Sequence, residues 1–133
     1  MLFRNKTVAR PNFPVNYPSG VCVHTEKGEY FYINGKYRHV IAGHRILNSW
    51  SFPFIIESSE YALVKYSRAA PLGFRDGSLV TDISSGKTYF ISQRLRRSVQ
   101  TPDFLRYVGL KLKDAILVST EEINLHKDGE VLK

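Results

Sequence analysis

Four histidines, one cysteine and twelve acidic residues could carry acid–base, nucleophilic or metal chemistry in this chain, and their spacing gathers none of them into a working set. His24, His39, His44 and His126 fall on different segments. His39 and His44 are close, but they sit on a strand and the loop after it, with no carboxylate nearby. A cysteine-based zinc site or an internal disulfide needs more than one thiol. Cys22, between Val21 and Val23, reads as a small buried hydrophobe, with a reactive thiol as the alternative. The chain has no phosphate-binding Gly-x-x-x-x-Gly-Lys-Ser/Thr loop, no Gly-x-Ser-x-Gly elbow and no His-Glu-x-x-His helix. These residues predict no catalytic site, no metal and no cofactor.

Binding chemistry has more material. Arg94, Arg96 and Arg97 stand near Tyr89 and Phe90, a combination that supplies phosphate contacts and a stacking face for nucleic acid. The corresponding stretch earlier in the chain is weaker, with Lys36, Arg38 and His39. Residues 1–17 form a one-sided segment with three bases, Arg4, Lys6 and Arg10, no acid, and the aromatics Phe3, Phe13 and Tyr17. Pro11, Pro14 and Pro18 prevent a helix there and favour extended geometry. This predicts an N-terminal arm over 1–17 whose anchors Phe3, Arg4, Lys6, Arg10, Phe13 and Tyr17 dock on a partner or on the body itself; a frayed terminus is the plain alternative. A further aromatic stretch, Trp50 to Phe54 with Phe52 between, reads either as core or as a contact patch.

The elements that would position these residues come in two similar sets. Gly20–Leu72 and Gly77–Leu132 align with two small gaps, sharing Gly20/Gly77, Val23/Val80, Gly28/Gly86, Ile33/Ile91, Arg38/Arg96, Leu47/Leu105, Ser59/Ser119 and Leu72/Leu132. Repetition of one module favours packing and binding surfaces over a single asymmetric catalytic site. The alignment predicts an α+β fold of two tandem repeats, 18–72 and 73–133, after the arm. Each would hold a short strand, a β-hairpin and two short helices, packed as one compact pseudo-symmetric body. The hairpin is clearest in the first repeat, where Asn34-Gly35 predicts a type I′ turn pairing Ile33 with Lys36 and Phe31 with Arg38. The same arithmetic pairs Phe90 with Leu95 and Tyr89 with Arg96, so an aromatic opposite arginine recurs. Helices are expected over Gly43–Ser49 and Ser59–Tyr66, after Thr101-Pro102-Asp103, and from the capping-box residues Ser119 and Glu122.

The second repeat in particular, through Gly77-Ser78-Leu79-Val80, Tyr89-Phe90-Ile91, Arg94-Leu95-Arg96, Phe104, Val118-Ser119-Thr120-Glu121-Glu122-Ile123 and Gly129-Glu130-Val131-Leu132, resembles a tandem repeat of bacterial secreted, cell-wall-associated and phage-encoded proteins. The first repeat departs from the pattern in lacking the glycine before its final Leu72. The motif marks turns and core positions, so the resemblance implies an accessory binding or structural module without a catalytic residue.

Length and charge set the remaining bounds. A chain of 133 residues suffices for one domain or two very small units, and 43% hydrophobic with 13% aromatic residues is a folding composition. The net charge of +7 favours acidic partners as a long-range bias. No apolar run suits a secretory signal or a membrane span, so a complete soluble gene product is expected. Together these readings point to a non-enzymatic structural protein of an extracellular assembly: a phage virion component near the tail, baseplate or head-tail junction. Its partners would be other structural proteins or copies of itself. A module binding cell wall or an anionic surface polysaccharide is the alternative, and a nucleic-acid-binding protein the second. Arg38, Trp50, Phe52, Arg94, Arg96 and Arg97 are its candidate surface contacts.

Overall fold

The computed structural model describes residues 8–132. It is α+β, with two five-stranded mixed sheets and few helices, and the chain divides into two compact units. The first comprises the chain up to Ala42 and then Phe52–Leu72; the second comprises Gly43–Ser51 and everything from Gly73 onward. The segment 43–51, expected to open the helical part of the first repeat, therefore belongs to the second unit.

In the first unit, β1 (Cys22–His24), β2 (Tyr30–Asn34) and β3 (Tyr37–Ile41) form an antiparallel meander. Two short strands add in parallel at its edges, β4 (Ile55–Glu57) on β1 and β5 (Ser67–Arg68) on β3. Alternation along β2 and β3 turns Phe31 and Ile33 inward, where they are fully buried with Val23, Leu63 and Tyr66 against Tyr17, Val21, Val40 and Ile56.

The second unit has the same strand order and the same pairing senses. Its β6 (Leu79–Asp82), β7 (Thr88–Ser92) and β8 (Leu95–Ser98) make the meander, with β9 (Ile116–Val118) parallel to β6 and β10 (Lys127–Asp128) parallel to β8. Val80, Ile91, Val118 and Ile123 are buried here, together with Phe74, Leu105 and Leu132. Among the described residues this unit holds three α-helices, α1 (His44–Trp50), α2 (Pro102–Tyr107) and the single turn α3 (Thr120–Ile123), and a 3-10 turn over Leu112–Asp114. Helix α1 buries Ile46 and stops where Ser51 enters the left-handed region. Helix α3 carries the expected capping box: Ser119 Oγ accepts from the Glu122 amide at 3.2 Å, and Glu122 Oε1 accepts from the Ser119 amide at 2.9 Å.

Two local expectations are corrected. The hairpin of the first unit closes with Asn34 paired to Tyr37, which places Gly35 and Lys36 in the turn. The positive φ falls on Gly35 at +60° and on neither neighbour, a pattern suited to a type II′ turn with glycine first, so the I′ geometry anticipated for Asn34-Gly35 does not form. Phe31 thus faces Val40 rather than Arg38, and in the other unit Tyr89 faces Ser98 rather than Arg96. The shift preserves the faces, and each arginine reaches its ring diagonally: Arg38 lies 5.0 Å from the Phe31 centroid and Arg96 lies 5.4 Å from that of Tyr89. The second correction concerns 59–66, expected to be helical. It is a run of tight turns closed by i+3 bonds such as Leu63 N to Glu60 O (3.1 Å) and Tyr66 N to Leu63 O (2.9 Å).

Candidate interaction surface

The expected anchors of the arm are Phe3, Arg4, Lys6, Arg10, Phe13 and Tyr17. Phe3, Arg4 and Lys6 lie outside the described residues. Residues 8–18 run along their own unit, held by backbone and side chain alike. The Val15 amide donates to Ala62 O at 3.0 Å, and the Tyr17 amide donates to Tyr66 Oη at 2.7 Å while Tyr17 Oη meets Ser58 Oγ at 2.6 Å. Arg10 closes the far end of β1 and β4. Its guanidinium donates to the carbonyls of His24 (2.9 Å) and Ser58 (2.7 Å) and to Glu57 Oε1 (2.9 Å). A five-donor guanidinium thus serves both carbonyls, of which His24 O also accepts from the Ser58 amide at 2.7 Å, while neutralising Glu57. Arg10 and Tyr17 therefore make these bonds within the chain. Of the described aromatic anchors only Phe13 stays exposed, at 58%.

The basic residues are similarly spent. Arg38 is half-buried, pairing with Glu60 Oε1 at 3.1 Å under the Phe31 ring. Arg96 donates through Nε to Asp128 Oδ1 and through Nη1 to Asn124 Oδ1, both at 2.8 Å, and Arg97 Nε donates to Glu130 O at 2.9 Å. Arg94 alone of the three is exposed, at the hairpin turn, while Arg96 lies over the Tyr89 ring. In the aromatic stretch, Trp50 Nε1 donates to Gly73 O at 2.9 Å in the second unit, whereas Phe52 packs beside Tyr32 in the first, centroids 6.1 Å apart. Phe54 is exposed.

The residues with possible chemistry are placed as follows. His39 is buried with Nδ1 on Ala70 O at 2.7 Å, His44 is exposed, and His24 contacts Glu57 at 3.0 Å while stacking on Tyr30. Cys22 is fully buried, which pushes its thiol up to about 12. Burial pushes the Asp82 carboxyl upward, but hydrogen bonds from the Ser84 amide (2.9 Å), Thr120 Oγ1 (3.0 Å) and Ser85 outweigh that and hold it below the ordinary value. No cluster of three metal-ligating side chains occurs among the described residues. A cleft of about 380 Å³ in the second unit is walled by Lys87, Thr88, Ser98, Gln100 and Thr101 over Leu105 and Leu112, a lining without a carboxylate or an imidazole.

Several large apolar side chains also face outward. The first unit exposes Tyr37, Tyr61 and Val64 besides Phe54; the second exposes Ile83, Leu112 and Leu117, with Tyr107 at 88%. One of these has a signal in the sequence. Leu117 occupies the β9 position where β4 has Glu57, so one edge strand carries an acid covered by Arg10 and the other an uncovered leucine, 60% exposed. No helix among the described residues is long and apolar enough to cross a membrane. No protein-family model, no curated protein and no solved structure matches this chain.

Proposed function

We propose that the chain is a structural, non-enzymatic component of an extracellular assembly of the phage-virion type, in the tail, baseplate or head-tail region. It is built on two copies of one module and meets its neighbours through the outer surfaces of those modules. The supporting observation is what the residues common to the two halves do. Gly20 and Gly77 donate to Ile33 O and Ile91 O (2.8 and 2.7 Å), and Ser59 and Ser119 cap the turn that follows each. Leu72 and Leu132 close onto Val40 O and Ser98 O (2.9 and 2.8 Å). Duplication has thus retained scaffolding, and no reactive polar set recurs with it. The large side chains left outward, Tyr61 and Phe54 on one unit and Tyr107, Leu112 and Leu117 on the other, suit protein contacts better than solvent. The arm contributes by fastening the first unit, with attachment shifted to the modules.

The test is mass spectrometry of purified particles from the source, with the chain expected at a fixed copy ratio to the other structural proteins. Its absence from intact particles overturns the proposal. The exposed tyrosines Tyr37, Tyr61 and Tyr107 favour surface-polysaccharide binding as the second reading. A pull-down on cell-wall polysaccharide that persists at moderate salt and fails in Tyr107→Ala would establish it.

A further inference from the structure

His126 is buried at 4% exposure and uses both ring nitrogens. Nδ1 lies 2.7 Å from the Arg94 carbonyl, which can only accept, so Nδ1 carries the proton. Nε2, 2.9 Å from the Phe74 nitrogen, must then be the bare acceptor of that amide. The fit is tight: a β-carbon on residue 73 would collide with Nε2, which favours glycine at that position.

Both partners of the imidazole are themselves junctions. Arg94 lies with Gln93 at positive φ (+64° and +52°), a conformation that non-glycine residues hold only under constraint, and its amide is fixed by Asp76 Oδ1 at 3.0 Å. On the other side, the segment carrying Phe74 is the seat of helix α1. Gly73 O accepts from Trp50 Nε1 (2.9 Å), and the Arg75 amide donates to Ser49 Oγ (3.2 Å). One imidazole therefore joins the β7–β8 turn to the strip on which α1 rests.

We propose that His126 is a proton-operated latch: taking a second proton at Nε2 in mild acid, it can no longer accept from the Phe74 amide, and it releases the 73–75 strip together with helix α1. An imidazolium has two N–H donors, so Nε2–H would point at the Phe74 N–H. The charged and titratable groups around the ring are few. Burial depresses the His126 value below 6.5; the Arg94 carbonyl and Asp76 oppose this, and Arg96 on β8, itself paired with Asp128, adds to it. The sign follows. A depressed folded value means that the unfolded chain binds the proton more readily. The latch is closed above 6.5 and is lost as pH falls from 6.5 through the lower folded value. The first unit has no such switch, because Tyr66 Oη makes the corresponding bond to Tyr17.

The experiment uses the full chain, with Trp50, the single tryptophan, as reporter of α1 and the Phe74 amide as reporter of the latch. Between pH 7.5 and 4.5 the Trp50 emission should shift reversibly with a midpoint below 6.5, in step with the His126 ring signals in NMR. Protection of the Phe74 amide, corrected for intrinsic exchange, should fall about tenfold per pH unit within that window. His126→Gln keeps an acceptor but cannot titrate there, and should abolish the shift; His39→Gln should leave it. A shift that survives in His126→Gln overturns the latch, as does a Trp50 emission flat over the range. Should His126→Gln fail to fold, the wild-type titration decides: His126 and Phe74 signals moving with different midpoints refute the coupling.

Discussion

The two units solve one set of problems with different side chains. Each needs an acceptor for the amide of the residue that leads into its meander, and the first supplies Tyr66 Oη where the second supplies His126 Nε2. Each ties its third meander strand to the carbonyl of a residue shortly before its final leucine, through His39 to Ala70 O in one and Arg97 to Glu130 O in the other. Charge is placed differently again: Arg38 pairs with Glu60 and Arg68 with Glu29, while Arg96 takes Asp128. The lesson is that a fold of this size is specified by backbone groups that must be satisfied. Any side chain able to satisfy them serves, so the two units make similar bonds with different residues.

The hardest test of that correspondence lies in the cores. Ile33 and Ile91 are both fully buried at matching places, on strands β2 and β7. Truncation to alanine should cost about 2–5 kcal/mol at either site, from lost transfer energy and the cavity left behind. Urea unfolding of the two variants would measure it. A cost below about 1 kcal/mol at one site alone would mean that its unit collapses around the gap and is packed less tightly than the other.

Next in size are the two amide clamps. Tyr66→Phe leaves the Tyr17 amide without its acceptor and should lower stability by about 1–3 kcal/mol. His126→Phe removes an acceptor and a donor at once, from the Phe74 amide and the Arg94 carbonyl, and should cost at least as much. The second loss should shrink as pH falls below 6.5, because the wild type is weakening there too, whereas the Tyr66→Phe loss should not depend on pH in that range. Denaturation midpoints at pH 7.5 and 5 would show whether the pair differs as stated.

Much of this architecture was legible and some was not, for reasons of distance along the chain. The hairpins announced themselves through alternation around a turn, and the capping box of α3 through Ser119 and Glu122 three residues apart. The turn register slipped because Gly35 and not Asn34 takes the first left-handed position. Strands β4, β5, β9 and β10 carry two or three residues each and pair in parallel, which leaves no periodic signature to read. The fate of the arginines was hidden for the same reason. Arg10 finds Glu57 across 47 residues and Arg96 finds Asp128 across 32, so both looked free for a partner.

Arg10 offers the third test. Arg10→Ala removes two carbonyl bonds and an ion pair at the junction of β1 and β4, a closure the second unit lacks at Leu117. The pair is part-exposed and screened, so the carbonyl bonds should dominate and the loss should be about 1–2 kcal/mol. Thermal unfolding would read it, and an unchanged melting temperature would return the arm to the role of a free tether. Leu117→Glu, the reciprocal change, should leave the melting temperature within a degree or two of wild type, since nothing covers that position in the second unit.

The smallest expected effect is the most discriminating. Thr25 and Asp82 occupy corresponding places after β1 and at the end of β6, each amide bonding back across the following turn, to Glu29 O and Lys87 O. Glu60 and Thr120 correspond likewise, each following a capping serine. Acid and hydroxyl therefore stand in opposite places in the two units. In the second the pair is joined, Thr120 Oγ1 to Asp82 Oδ1 at 3.0 Å. In the first, Arg38 has drawn Glu60 away, and Thr25 Oγ1 and Glu60 Oε2 are both buried with no hydrogen-bond partner. Replacing a hydroxyl by a methyl should thus act oppositely at the two sites. Thr120→Val strips a donor from Asp82 and should destabilise by about 1 kcal/mol. The difference from wild type should fade as pH drops below 3.8, because the depressed Asp82 carboxyl protonates there and loses the stability present above that value. Thr25→Val removes an orphaned hydroxyl of nearly the same shape and should be neutral or stabilising by up to about 1 kcal/mol. Equal losses at both positions, measured by chemical denaturation at pH 7, would show that Thr25 is as well bonded as Thr120 and that both units are equally satisfied.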